Sequence, residues 1–143
     1  MILDEVGFMV DFVDSFGKYA EKVWKLLTSE GSQTEKNLIG KTNLKSNEFY
    51  CAVGWLAKEN KICRDDATYM LGETNLTNKI GKDAGMVWKI LDMWGEVDIE
   101  SISRLARIDE NDVFYAVGWL AREKKLNGKK SVDAKGNFLF WLK

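Results

Sequence analysis

Apolar side chains recur at helical spacing in two parts of the chain that lie 64 residues apart. Within residues 17–30 and again within 81–94, they occupy positions i, i+3, i+4 and i+7. These positions are Ala20, Val23, Trp24 and Leu27 in the first part, and Ala84, Val87, Trp88 and Leu91 in the second. The spacing predicts two amphipathic helices, each with one face toward a core. Gly31 and Gly95 follow, and glycine is common just beyond a helix end.

A second pair of helices is predicted around the hexapeptide AVGWLA, which occurs at 52–57 and again at 116–121. A step of 100° per residue separates an apolar core face from an opposite face. The core face holds Phe49, Ala52, Val53 and Leu56, matched by Val113, Ala116, Val117 and Leu120. The opposite face holds Asn47, Cys51, Gly54 and Lys58, matched by Asn111, Tyr115, Gly118 and Arg122.

A short helix is predicted between the two long ones in each part. Thr34 and Asp98 are equivalent positions and suitable N-cap residues for it. A β-hairpin is predicted after the AVGWLA helix, because apolar runs there flank turn residues. The second hairpin joins 126–132 to 138–142, and the first is shorter, joining 62–64 to 68–71.

The chain therefore contains two copies of one module. Aligning residues 17–61 with 81–125 without a gap gives 17 identities in 45 positions. We predict a mainly α fold of the α+β kind, with module 1 at 15–71, a polar linker at 72–79 and module 2 at 80–143.

Residues 1–14 precede the modules, and we predict that they form an amphipathic helix. Ile2, Val6, Met9 and Val13 are spaced as one helical stripe. Two roles stay open for this helix: packing on the modules, or forming a homodimer or protein-partner interface.

The order of helix, helix, helix and hairpin, given twice, is that of a winged helix-turn-helix. The run AGMVWKIL…GEV…VFYAVGWLAREKKL resembles a family of small, largely uncharacterised winged helix-turn-helix proteins of bacteria and archaea, here in tandem. The resemblance covers nearly everything from Phe16 onward. It implies two modules of three helices plus a β-hairpin wing, and DNA binding by analogy of fold.

The composition of the chain limits the kinds of metal, cofactor and catalytic site that it could contain. The 143 residues carry a net charge of −1 and no histidine, and the two cysteines do not form a CxxC pair. We therefore expect no metal site, no cofactor and no catalytic site, since no recognisable catalytic motif occurs either. Lone cysteines suit a reducing cytoplasm, and the N-terminal region resembles neither a signal peptide nor a membrane span.

Double-stranded DNA is the predicted partner, in a transcriptional role. In a winged helix the third helix enters the major groove, which would direct its outer face at bases and phosphates. That face supplies Asn47, Lys58, Asn111, Tyr115 and Arg122. Module 2 adds a basic surface for phosphates, consisting of Arg104, Arg107, Lys124, Lys129, Lys130 and Lys135.

Competing interpretations remain open from sequence. The basic residues also fit an ordinary solvated wing, and the near-neutral charge suits a protein-interaction scaffold with Tyr115 and Trp94 as anchors. Gly54 and Gly118 indicate a close approach at mid-helix, since glycine there costs about 1 kcal/mol against alanine. The approaching group could be a nucleic-acid backbone, a protein helix, the wing, or the ring of Trp55 or Trp119; an intramolecular contact is favoured.

Overall fold

A computed structural model describes residues 2–3, 9–10, 12–130 and 138–143. Module 1 contains three helices and a three-stranded sheet. Its elements are α1 (Ser15–Glu30), β3 (Gln33–Thr34), α2 (Glu35–Thr42), α3 (Ser46–Lys58), β4 (Ile62–Asp65) and β5 (Thr68–Leu71). They follow β1 (Ile2–Leu3) and β2 (Met9–Val10).

Module 2 repeats this order. Its elements are α4 (Lys82–Trp94), β6 (Val97–Asp98), α5 (Ile99–Ala106), α6 (Glu110–Arg122), β7 (Leu126–Lys130) and β8 (Phe138–Leu142). The predicted tandem of two winged helix-turn-helix modules, mainly helical with small antiparallel sheets, is thereby confirmed.

The two sheets differ in their wing strands, which have four residues each in module 1 and five each in module 2. The strand orders are β3-β5-β4 and β6-β8-β7. Gln33 pairs with Tyr69 and Val97 pairs with Phe140, so Tyr69 and Phe140 are equivalent positions. The helices repeat at an offset of 64 residues whereas these strand positions repeat at 71, because the second wing is longer.

The amphipathic helix predicted over residues 1–14 is wrong where the structure describes that segment. Ile2–Leu3 and Met9–Val10 are antiparallel strands, with Ile2 opposite Val10. The sequence also contains the alternation Phe8, Val10, Phe12, which has the period of a strand. A short apolar segment can match both the helical and the strand period. The observed pairing shows that Ile2–Leu3 and Met9–Val10 are strands.

The predicted linker is partly helical. Thr77–Gly81 form a π-helical turn that continues directly into α4. Before it, the segment is tied to the first wing: the Asn75 side-chain oxygen accepts from the Arg64 backbone N–H at 3.0 Å, and the Asn75 amide donates to the Arg64 carbonyl at 2.7 Å. The connection is therefore anchored to module 1 rather than extended.

Two apolar clusters form the core, one centred on each module. The module 2 cluster also includes Phe12, Val13, Phe16 and Cys51, and the module 1 cluster includes Ile80. Phe49, Leu38 and Tyr69 are fully buried in module 1, and Ile102 and Phe140 in module 2. The predicted caps of the second helices are confirmed: Thr34 Oγ1 accepts from the Asn37 N–H at 3.2 Å, and an Asp98 carboxylate oxygen accepts from the Ser101 N–H at 2.8 Å. Within the described residues, no helix is long and apolar enough to cross a membrane.

Candidate nucleic-acid interface

The two AVGWLA helices, α3 and α6, pack directly on each other at their glycines. A Cβ atom built on Gly54 would overlap the carbonyl group of Tyr115 and lie 3.0 Å from the backbone nitrogen of Trp119. A Cβ atom on Gly118 would likewise overlap the carbonyl group of Cys51. The group that approaches each glycine is thus the backbone of the other module's helix, one of the intramolecular alternatives considered from sequence.

The contacts across this interface are reciprocal. Arg122 Nε lies 3.0 Å from Glu59 Oε2, and Lys58 Nζ lies 3.7 Å from Glu123 Oε2. Residues 58 and 122 are equivalent, as are 59 and 123, so the two ion pairs are related by an approximate twofold axis. The two modules therefore associate as the halves of an isologous dimer do.

The same two cations cover the tryptophans of the opposite module. Lys58 Nζ lies 5.2 Å from the ring centroid of Trp119, and Arg122 Cζ lies 5.9 Å from that of Trp55. A cation within about 6 Å of an aromatic face is attracted to it. Lys58 and Arg122 thus serve this interface, although both side chains remain partly exposed at its rim.

Tyr115 is held inside the interface, on the module 1 side. Its ring centroid lies 4.8 Å from that of Tyr50, and its hydroxyl lies 3.0 Å from the hydroxyl of Tyr69. Burial raises the pKa of both Tyr69 and Tyr115, because each phenolate would lose hydration. Both hydroxyls therefore keep their protons, and their mutual hydrogen bond, to a higher pH than an exposed tyrosine would.

This packing determines which predicted groove contacts are accessible. In α6, Glu110 and Asn111 are exposed, and every later residue of the helix is buried or half-buried. In α3, only Ser46 and Lys58 are exposed, and Asn47 is half-buried. The outer faces predicted to enter a major groove instead cover each other, with Asn111 left free at one end.

Of the basic residues predicted in module 2, five are exposed and lie on different elements: Arg104, Arg107, Lys124, Lys129 and Lys130. Lys129 and Lys130 are consecutive at the end of β7, and Lys129 Nζ lies 3.5 Å from Glu96 Oε1. Lys124 precedes that strand, in the turn between α6 and β7. Arg104 and Arg107 lie at the C-terminal end of α5. Lys135 lies outside the described residues.

Three features of this region were not predicted from sequence. Glu59 and Glu123 supply the anions of the interface ion pairs, and Tyr69 supplies the partner of Tyr115. The sequence did contain a sign of this contact: Gly54 and Glu59 are both kept in the second copy, as Gly118 and Glu123. A helix face that keeps both a glycine and its flanking charges in each copy is typical of a self-complementary contact.

The architecture and the interface together define a class of protein: a pair of winged helix-turn-helix domains fused in one chain and joined through their third helices. The family described as winged helix-turn-helix domain (DUF2582) matches residues 13–71 and again 75–135. The chain belongs to this family, as a tandem duplication. No protein of curated function and no solved structure matches it.

The family's domain type suggests DNA as a partner without naming a regulatory role. Among the described residues, no group of three or more His, Cys, Asp or Glu side chains is placed to hold a metal ion. Cys51 is buried and Cys63 half-buried, and both are free thiols.

Proposed function

We propose that the protein binds duplex DNA through phosphate contacts made by module 2, centred on Lys129 and Lys130 of the wing. The observation that supports the proposal is that both cations are exposed at the end of β7, in the wing, which flanks the recognition helix in a winged helix. As consecutive strand residues, Lys129 and Lys130 point to opposite faces of the wing, so each would contact a different phosphate. Asn111, Arg104, Arg107, Lys124 and, by sequence, Lys135 would extend the contact along the duplex.

This mode of binding does not use the third helices for reading bases. Tyr115 could reach base edges only if the modules separated at α3 and α6. Asn47 is half-buried, and Lys58 and Arg122 are already paired with Glu123 and Glu59 at the rim of the interface. Phosphate contacts carry no sequence information by themselves, so binding by the closed form is expected to be weak and largely independent of sequence. A role in transcription remains a prediction.

The proposal is tested by fluorescence anisotropy of labelled random duplex DNA at two salt concentrations. Each phosphate contact contributes about −0.9 to the slope of log K against log salt. Replacing Lys129 and Lys130 with glutamate should weaken binding and lower the slope by about two. The matched control is Lys22→Glu with Lys25→Glu on α1, which changes the net charge equally on exposed residues of module 1.

If the two double variants lost the same amount of DNA affinity, only net charge would matter, and the wing would not be the binding surface. Absence of binding by the wild-type protein at low salt would reject DNA binding by the closed form.

Protein interaction is the second candidate, and one surface favours it. Met93 and Trp94, at the end of α4, are 77% and 62% exposed. The equivalent residues of module 1 are Ser29 and Glu30, so module 2 alone presents a large apolar pair there. Met and Trp are enriched at protein interfaces.

A further inference from the structure

The approximate twofold axis relates two sites that the chain has filled differently. In one site the Tyr115 ring packs on the Tyr50 ring, and the Tyr115 hydroxyl contacts that of Tyr69. At the other site the equivalent residues are Phe114, Phe140 and Cys51. The second site therefore has two phenyl rings in place of phenols, and a cysteine in place of the third ring.

A cavity adjoins Cys51, the residue that stands where the other site has Tyr115. Its volume is about 150 Å³ and its walls include Cys51, Phe114 and Phe140. Further walls come from the start of module 1 and from β8, namely Phe12, Phe16 and Phe138. A volume of about 150 Å³ is large enough for a benzene-sized molecule, and the phenylalanine walls offer it an apolar surface.

The mouth of the cavity is polar and mainly cationic. Lys45 and Lys130 line it from opposite modules, and Lys130 Nζ lies 5.9 Å from the Phe138 ring centroid. Glu48 also lines the mouth, but its carboxylate accepts the backbone N–H of Lys45 at 2.9 Å. The N-terminus of α3 begins at Ser46, and a helix N-terminus favours a negative charge.

From this juxtaposition of an apolar cavity with two lysines at its mouth, we propose that the protein binds a small aromatic carboxylate. Its ring would take the place that Tyr115 takes in the equivalent site, against Phe114 and Phe140. Phe140 replaces Tyr69 and has no hydroxyl, so the deep end of the ring should be unsubstituted. The carboxylate would lie between Lys45 and Lys130.

The experiment uses the full chain and three probes: phenylacetate, benzyl alcohol and acetate. Binding is followed by chemical-shift changes in two-dimensional amide NMR spectra during titration. We expect saturable binding of phenylacetate, with shifts around Cys51 and Phe114. We expect at least tenfold weaker binding of benzyl alcohol, which keeps the ring and lacks the charge, and no saturable binding of acetate.

Cys51→Tyr is the decisive variant, because it installs the residue that fills the equivalent site. It should weaken phenylacetate binding at least tenfold, whereas Cys63→Ser, a cysteine change outside the cavity, should leave it unaltered. A folded Cys51→Tyr protein with wild-type affinity would overturn the proposal, as would the absence of saturable binding by the wild-type protein.

Lys130→Gln keeps the proposal testable if Cys51→Tyr does not fold. This variant should weaken phenylacetate binding several-fold while leaving the affinity for benzyl alcohol unchanged. Equal effects on both probes, or no effect on either, would overturn the assignment of the carboxylate to the mouth.

Discussion

Substituting alanine for Gly54 tests the central contact between the modules. In an exposed helix interior the change should stabilise, because alanine is favoured over glycine by about 1 kcal/mol. Here the added methyl group would overlap the Tyr115 carbonyl group, which is backbone and cannot rotate away. Restoring an ordinary contact would require α3 and α6 to separate by more than 1 Å, with loss of the packing that surrounds them.

The sign of the change follows from comparing the two effects. Overpacking of a close-packed contact costs about 1–3 kcal/mol. The upper end applies, since no side-chain adjustment relieves the overlap, and subtracting the helix-propensity gain leaves about 2 kcal/mol of destabilisation. With a urea dependence of about 2 kcal/mol per molar, the unfolding midpoint should fall by about 1 M.

Gly85→Ala is the matched control for this experiment. Gly85 lies inside α4, and a Cβ atom built there would have no neighbour within 4 Å. Gly85→Ala should raise the urea midpoint by up to about 0.5 M. Gly118→Ala should behave as Gly54→Ala does, because its contact is the reciprocal one. The reasoning would be refuted if Gly54→Ala stabilised the protein to the same extent as Gly85→Ala.

Two further predictions concern the tyrosines and the exposed apolar pair. Burial raises the pKa of all four tyrosines, so the unfolded chain, with a pKa near 10, releases phenolic protons that the folded chain keeps. Tyrosine ionisation should therefore leave the free energy of unfolding unchanged below about pH 10 and lower it above that pH. Tyrosinate absorbance should then appear together with unfolding. Gradual ionisation while the near-UV dichroism stays intact would contradict this prediction. The second prediction replaces Met93 with Ser and Trp94 with Glu, which are the residues at the equivalent positions of module 1. The double variant should no longer cross-link to any partner that the wild-type protein captures from extract, and its thermal midpoint should be unchanged. Retention of that partner would exclude this surface.

Much of the fold was predictable because the duplication doubles every local signal. The glycine ends of α1 and α4 and the caps at Thr34 and Asp98 occur in both copies, and the structure confirms them. Asp109 is the N-cap residue of α6 and is of a type that often caps helices, but its side chain makes no capping hydrogen bond, and Asp112 in the first turn has an oxygen 3.5 Å from Lys79 Nζ. A tertiary ion pair here competes with the local interaction.

The partner of the outer face of α3 and α6 was not predictable in the same way. Residues such as Lys58 and Arg122 are equally suited to a phosphate, a carboxylate or an aromatic ring, and the periodicity of a helix does not distinguish between them. What distinguishes them is the mid-helix glycine, which removes the side chain where another backbone approaches. Its repetition at equivalent positions points to a helix meeting its own counterpart.

Covalent fusion explains how the two equivalent sites came to differ. In a homodimer with an isologous interface, one sequence builds both sites, so a cysteine or a tyrosine at this position would appear twice. In the tandem chain Cys51 and Tyr115 are separate positions, and each can be optimised for its own site. Linkage also holds the modules at an effective concentration of about millimolar, so the interface need not be strong by itself. The packed ring and hydrogen bond of Tyr115 then contribute stability that offsets the cost of leaving the opposite site open. An open site beside a filled one is therefore an arrangement that duplication within one chain permits and that a symmetric dimer does not.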